Sequence, residues 1–264
     1  MIGRAPWTAL LVALCLAASA AAADDPVAKA RQLYNQGDFA AAIVAAEQAR
    51  LSPARADAAD LVSARAYLEQ YRESGAPDDL TNARDRLRRI TPERFDPQER
   101  TEYLIGLGET LYFDEAYGAA STVFESVLRS ANLLTGAARE RVLDWWATSF
   151  DRDVRPRPEL DRQLMYQRMR AGLAEELAQH PTSGAAAYWL AAASRAQGDL
   201  QAAWDAAEAG WVRAPLTMDH GETLRADLDR LVLRVIAPER AKVLAQTPDN
   251  LRAEWERFKA RWAK

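Results

Sequence analysis

Apolar residues recur three and four positions apart along almost the whole chain, and no stretch alternates convincingly between apolar and polar positions. This spacing places apolar side chains on one face of an α-helix, so the pattern predicts an all-α fold. Aspartate or threonine stands directly before proline at Asp25-Pro26, Asp96-Pro97 and Thr247-Pro248. Each pair predicts a helix start, because the first side chain can cap the helix and proline is tolerated at the first helical position.

One short phrase occurs twice, as NQGDFAAAI over residues 35–43 and as AQGDLQAAW over residues 196–204. In each copy the glycine can adopt the left-handed conformation that ends one helix, and the aspartate can cap the next helix. Ala42 and Ala203 are small enough to let two antiparallel helices approach closely. The phrase therefore predicts two similar helix–turn–helix units.

This unit resembles the tetratricopeptide repeat, a helix–turn–helix motif of about 34 residues. The resemblance is best over residues 184–217, and similar spacings occur over residues 28–53 and 107–128. The matching residues of the best unit are Leu190, Ala191, Gly198, Asp199, Leu200, Ala203, Ala207 and Pro215. Three recovered units favour a true repeat over coincidence.

Two further units fit the pattern only with expanded connections. Residues 64–90 require a turn lengthened over about 70–79, and residues 147–181 are interrupted by the proline-rich, charged stretch 151–160. Prolines and clustered charges predict that this stretch is a loop. With these units included, the resemblance covers about residues 26–217. It implies a tetratricopeptide-like array over residues 24–217, a right-handed α-solenoid of about five helix pairs.

The chain after Pro215 no longer follows the repeat. The sequence predicts a linker at TMDHGE (217–222), an amphipathic helix over 223–236 and a restart of the chain at Pro238. The last helix carries an apolar stripe at three- and four-residue steps. The stripe residues are Leu251, Trp255, Phe258 and Trp262.

Two interpretations of this C-terminal region stay open. The end of a solenoid exposes an apolar face that needs covering, so residues 218–264 are predicted to form a helical cap. The less favoured alternative is a membrane-surface helix, because basic side chains surround the stripe. Glu254 and Glu256 weaken that alternative, since they place negative charge beside the same stripe.

Residues 1–23 have the layout of a secretory signal peptide, with Arg4 before an apolar run and small residues ending at Ala23. We expect export to the periplasm or beyond after cleavage near Ala23; an uncleaved anchor is the alternative. Cys15, the only cysteine, lies in this segment, and Leu14 before it does not fit a lipoprotein signal. The mature chain would then have no thiol, which excludes disulfides and cysteine nucleophiles.

The formal net charge of the chain is −4, and the mature chain would be one unit more negative without Arg4. This mild acidity does not favour nucleic-acid binding. The sequence has no glycine-rich phosphate loop, no His-Glu-x-x-His helix and no Gly-x-Ser-x-Gly elbow. His180 and His220 are the only histidines; His180 fits a helix C-terminus, and a metal contact at His220 is the weaker alternative. An enzyme is the less favoured class, and no cofactor is indicated.

The resemblance implies that exposed residues of each unit's first helix line a concave surface that holds a peptide or another protein's helix. Aromatic and arginine side chains are enriched at binding hot spots. An inter-repeat core role is the alternative for some aromatics, especially Trp145, Trp146 and Trp189. The positions in this sequence that correspond to the surface are Arg31, Tyr34, Arg65, Tyr112, Asp144, Trp145, Arg152, Tyr188 and Arg195.

The asparagines and lysines with which some members of this family hold a peptide carboxylate are absent from the corresponding positions. The expected function is that of an exported scaffold or assembly factor that binds another protein or peptide of the cell envelope. A peripheral membrane component docked by the last helix, a self-assembling repeat protein and an enzyme with an unfamiliar site are the alternatives.

Overall fold

The computed structural model describes residues 25–130 and 133–262; the predicted signal peptide, residues 1–23, lies outside them. The described residues form twelve helices and fall into two compact units divided after Phe113. The first unit contains α1 (Pro26–Asn35), α2 (Phe39–Arg50), α3 (Ala56–Ser74), α4 (Pro77–Arg89) and α5 (Pro97–Phe113). The prediction of an all-α fold is confirmed for residues 25–130 and 133–262.

The second unit contains seven helices, of which α11 is continuous through a π-helical turn. They are α6 (Tyr117–Arg129), α7 (Gly136–Val154), α8 (Glu159–Gln179), α9 (Gly184–Ala196), α10 (Leu200–Arg213), α11 (Glu222–Leu231, π turn Val232–Ile236, Ala237–Val243) and α12 (Pro248–Trp262). Short 3₁₀ turns lie at Pro53–Arg55, Pro92–Arg94 and Ala214–Leu216.

Both copies of the repeated phrase form the predicted turn between two helices. The glycines of Gly37-Asp38 and Gly198-Asp199 have φ of +80° and +89°. In each copy the aspartate side chain accepts the backbone N–H three residues later at 3.0 Å. The small residues Ala42 and Ala203 are fully buried, as close helix packing requires. The local prediction of helix–turn–helix units is confirmed at both sites.

Helices pack in chain order within each unit. Every helix from α1 to α5 contacts the next, and α1 and α5 also contact α3. In the second unit every helix from α6 to α12 contacts the next, and α9 also contacts α7. Contacts between sequential and alternate helices are consistent with a helical repeat. The right-handed solenoid shape stays a prediction.

The lengthened turn predicted over residues 70–79 is wrong. Helix α3 continues to Ser74, and only Gly75 and Ala76 separate it from α4. Tyr71 holds the extra turn in place because its ring packs edge-on against Phe113, with ring centroids 4.8 Å apart. Gly75 then ends the helix at φ +70°, where its N–H donates to the Tyr71 carbonyl at 2.8 Å.

The loop predicted over residues 151–160 is wrong at both ends, because residues 151–154 belong to α7 and residues 159–160 belong to α8. Val154 is fully buried, and the Asp151 carboxylate accepts the Tyr166 hydroxyl at 2.7 Å. These contacts with the core hold the last turn of α7 helical despite its charged sequence. The connection to α8 is therefore limited to residues 155–158.

The restart predicted at Pro238 is wrong, because α11 runs through it. Proline lacks the N–H that an α-helix needs and normally breaks a helix interior. Here the π-helical turn lies directly before it, and Ala237 N–H donates to the carbonyl of Val232, five residues back. The wider turn accommodates the proline ring, so one helix continues where the sequence predicts two.

The apolar stripe of α12 is mostly buried in the second unit. Leu251, Trp255 and Phe258 are buried, whereas Trp262 at the end of the helix is 51% exposed. This burial supports the cap prediction. A membrane-surface role would require the same side chains to leave their packed positions in the protein interior.

Alanine substitution of two glycines in helix interiors should change the stability of the protein in opposite directions. Gly172 is exposed on α8, and a Cβ there would meet only the Trp146 ring at 4.0 Å, so Gly172→Ala should stabilise the protein by about 0.5–1 kcal/mol. A Cβ on Gly210 would lie 2.9 Å from a Cδ of fully buried Leu228, so Gly210→Ala should destabilise it by about 1–3 kcal/mol. Denaturant unfolding followed by circular dichroism measures both. Shifts of the same sign would contradict this packing.

Candidate functional site

The nine predicted surface residues all lie on odd-numbered helices, which are the first helices of the predicted pairs. They are Arg31 and Tyr34 on α1, Arg65 on α3, Tyr112 on α5, Asp144, Trp145 and Arg152 on α7, and Tyr188 and Arg195 on α9. The two units place them in different surroundings, so each unit is described by itself.

In the first unit, charged partners from neighbouring helices hold three of these residues. Arg31 forms an ion pair with Glu99 at 2.7 Å, and Arg65 forms one with Glu102 at 3.0 Å. The Arg65 guanidinium also lies over the Tyr34 ring, 4.6 Å from its centroid. Burial, more than the nearby charges, raises the pKa of Tyr34 to about 12.

These three residues surround a cavity of about 70 Å³. A space of this size holds one or two water molecules rather than a peptide side chain. Tyr112 does not line this cavity, and its ring lies edge-on to Phe113 with centroids 5.7 Å apart. The first unit therefore uses its predicted binding residues mainly to connect α1, α3 and α5.

The second unit contains a much larger cleft of about 700 Å³, formed by α7, α9, the first part of α11 and the turn before α11. We call it the α7–α9–α11 cleft. Its volume lies within the range of about 300–1,000 Å³ that is typical of ligand sites. Apolar and aromatic surface comes from Tyr188, Trp189, Leu224 and Met218, and the Met218 side chain is 73% exposed. Two of the nine predicted residues, Asp144 and Tyr188, lie here.

The turn that carries Met218 into the cleft depends on glycine. Gly221 has φ +89°, and a Cβ there would lie 2.6 Å from the carbonyl carbon of Ala214. Within this turn the Asp219 carboxylate accepts the Thr217 hydroxyl at 2.7 Å and the N–H of Thr223 at 2.8 Å. Hydrogen bonds from Thr223 and Thr217 lower the pKa of Asp219, which therefore stays ionised.

Two more carboxylates of the cleft are positioned by neutral donors on α9. Asp144 accepts the indole N–H of Trp189 at 2.8 Å. Glu140 accepts the backbone N–H of Ala185, in the first turn of α9, at 2.9 Å. An anionic group is favoured at a helix N-terminus because the backbone N–H groups there point outward. Both side chains are thus held in place without a cation.

Tyr188 lies in the N-terminal half of α9, lines the cleft and packs edge-on against Trp189, with ring centroids 5.5 Å apart. Burial, and then the negative charges of Asp227 and Asp144, raise the pKa of Tyr188. Its hydroxyl therefore stays protonated, and it makes no hydrogen bond to any residue that the structure describes. The hydroxyl can donate to or accept from a bound molecule.

The other three predicted residues of the second unit lie outside the cleft lining. Trp145 stacks on buried Phe124 with ring centroids 6.1 Å apart, which fits the core alternative. The Arg152 guanidinium donates to the Tyr117 hydroxyl at 3.1 Å, and Arg195 pairs with Glu239 through Nε at 2.8 Å. Their side chains stabilise contacts within the unit.

Sequence reasoning missed the cleft wall that follows the predicted repeat array. It assigned the turn before α11 to a linker and α11 to the cap, yet both line the cleft. The one available signal was the Thr-x-Asp-x-Gly pattern over 217–221, which is typical of a side-chain-stabilised turn. The lining residues from this segment are Thr217, Met218, Asp219, Thr223, Leu224, Asp227 and Arg230.

The cleft offers apolar contact, a free hydroxyl and fixed negative charge. Among residues 25–130 and 133–262, no three histidine, cysteine, aspartate or glutamate side chains are grouped to hold a metal ion. In the same part of the chain, no helix has the length and apolar character needed to cross a membrane.

Comparison of the chain with protein-family models, with curated proteins and with solved structures gives no match.

Proposed function

We propose that this chain is an exported adaptor of tetratricopeptide-like architecture that binds a segment of another envelope protein in the α7–α9–α11 cleft. The observation that carries the proposal is the cleft itself, an open site of about 700 Å³ between the first helices of successive predicted pairs. Its aromatic side chains are of the types enriched at binding hot spots, and the Tyr188 hydroxyl can form a hydrogen bond with a bound molecule.

The structure favours peptide binding over the two alternatives of an enzyme and a membrane-docked protein. For an enzyme, the carboxylates and arginines described above are poorly placed as catalytic groups. Asp144 and Glu140 already accept hydrogen bonds from neutral donors, and the ion pairs connect helices of the fold. The stripe of α12 that a membrane-docked protein would use is mostly buried. An open apolar surface with fixed polar groups instead matches the needs of an extended polypeptide, which presents side chains and backbone groups together.

Site-specific photo-cross-linking in the producing cell tests this proposal. A photoreactive phenylalanine derivative is placed at position 188, inside the cleft, and in a control protein at position 117. Tyr117 is a tyrosine of the same unit that lies outside the cleft lining. We expect one polypeptide to be linked at 188 and not at 117, and mass spectrometry to identify the linked segment. Equal linkage at both positions, or none at 188, would contradict the proposal.

The linked segment, made as a labelled synthetic peptide, should bind the purified chain in fluorescence anisotropy. Tyr188→Ala should weaken this binding about 30-fold, because truncating a central tyrosine typically costs roughly 2 kcal/mol. Tyr117→Ala should leave the affinity unchanged within about twofold. Equal losses in the two variants would indicate a general effect on the unit rather than a contact at the cleft.

A further inference from the structure

The lining of the α7–α9–α11 cleft contains more negative than positive side chains, and most of the negative ones have neutral hydrogen-bond partners. The lining has two guanidinium groups and four carboxylates. One carboxylate, Asp227, is paired with Arg230 at 2.9 Å. The other three are Glu140, Asp144 and Asp219, and their partners are backbone N–H groups, a hydroxyl and an indole N–H.

Neutral donors hold a carboxylate in place without cancelling its charge. Three carboxylates fixed in this way face an open cleft, whose lining adds one further cation, the exposed Arg141. Arg139 also interacts with the charge of Glu140, but it lies outside the lining and is already paired with Glu176. The lining therefore keeps a net negative charge. No ion pair has to be broken before Glu140, Asp144 or Asp219 can interact with a cationic ligand. Such a surface attracts cations and repels anions of similar shape.

The apolar part of the cleft limits what kind of cation it can hold. Leu224 is buried in the wall, and Met218 reaches out from the turn with most of its side chain free. A small hydrated cation would leave this apolar surface uncovered. An apolar side chain with basic residues beside it would cover the surface and meet the carboxylates at the same time.

We propose that the occupant of the α7–α9–α11 cleft is a cationic peptide segment, with an apolar side chain against Tyr188 and Met218 and flanking lysine or arginine facing Asp144 and Glu140. This inference rests on the proposed function and adds the chemical class of the partner. The experiment therefore has to distinguish an incorrect charge class of the peptide from an incorrect location of the binding site.

Three labelled synthetic peptides with the same apolar centre and either lysine, glutamine or glutamate flanks are titrated into the purified chain and followed by fluorescence anisotropy. We expect the lysine-flanked peptide to bind about tenfold more tightly than the glutamine-flanked peptide, with the glutamate-flanked peptide weakest. Affinity for the lysine-flanked peptide should fall as salt is raised, because salt screens exposed charges.

The variants Glu140→Gln and Asp144→Asn remove charge but keep an oxygen that can accept the N–H of Ala185 or of the Trp189 indole. Combined, they should weaken binding of the lysine-flanked peptide about tenfold and leave that of the glutamine-flanked peptide nearly unchanged. Asp205→Asn is the matched control, since Asp205 is exposed on α10, outside the cleft lining. It should change neither affinity.

Three results would overturn the inference. If all three peptides bind equally and Tyr188→Ala abolishes binding, the cleft is a peptide site without charge preference, and the proposed function stands. Tightest binding of the glutamate-flanked peptide would show that Arg141 and Arg230 select an anionic segment. If none of the peptides binds, the cationic class is wrong, and cross-linking at position 188 decides the proposed function independently.

Discussion

Trp255→Ala is expected to lower the free energy of unfolding of the second unit by about 3–5 kcal/mol, the range for a large aromatic side chain removed from a core. Trp255 is fully buried in α12. Its ring contacts Trp204 and Trp211 edge-on, with centroids 5.8 and 5.6 Å apart, and stacks on Phe258 at 5.5 Å. Removal leaves a cavity that three other large rings cannot easily fill.

The same substitution also removes a hydrogen bond, since the Trp255 indole N–H donates to Asp229 on α11 at 2.8 Å. Trp262→Ala is the matched control, a tryptophan of the same helix that is half exposed, and it should change stability by less than about 0.5 kcal/mol. Chemical denaturation followed by circular dichroism compares the two. A Trp255→Ala protein as stable as the wild type would mean that α12 does not pack against α10 and α11.

Arg139→Met is expected to cost about 3–5 kcal/mol, because it leaves a buried carboxylate without its counter-charge. Arg139 Nε and Nη2 donate to the two oxygens of Glu176 at 2.8 and 2.7 Å, and both side chains are only 10% exposed. Arg139 Nη1 also donates to the carbonyl of Leu128 at the end of α6. The pair therefore joins three helices of the second unit.

The double variant Arg139→Met, Glu176→Leu should recover most of the stability lost by Arg139→Met. A buried ion pair is costly to desolvate, so replacing both members with apolar side chains is often close to neutral. The comparison uses the same denaturation measurement on wild type, both single variants and the double variant. A double variant that is less stable than either single one would contradict this interpretation of the pair.

The sequence predicts local structure well wherever a single side chain decides it. Gly198 ends a helix at positive φ and Asp199 caps the next, and both roles can be assigned from a few neighbouring letters. The lengthened turn after residue 70 and the break at Pro238 were wrong for different reasons. At Tyr71 a ring contact with Phe113, far along the chain, overrides the local preference for a break, whereas at Pro238 a π turn just before the proline lets the helix continue.

The site was harder to predict because its residues acquire their roles from the way helices face one another. Trp145 and Trp189 are chemically identical, yet one stacks on Phe124 and the other donates to Asp144 at the cleft. Arg65 has the character of a binding residue in the sequence, but Glu102 on a neighbouring helix already pairs with it. Spacing along one helix does not show which partner the next helix will present.

Helix α11 takes part in two otherwise separate structures. Leu224 and Asp227 on its first turns line the cleft, whereas Asp229 holds both Trp255 and Lys259 of α12. Any shift of this helix therefore changes the cleft wall and the tryptophan cluster together. If such a shift differs between the free and the bound protein, side chains of the tryptophan cluster that never touch a ligand help to determine how tightly the cleft holds it.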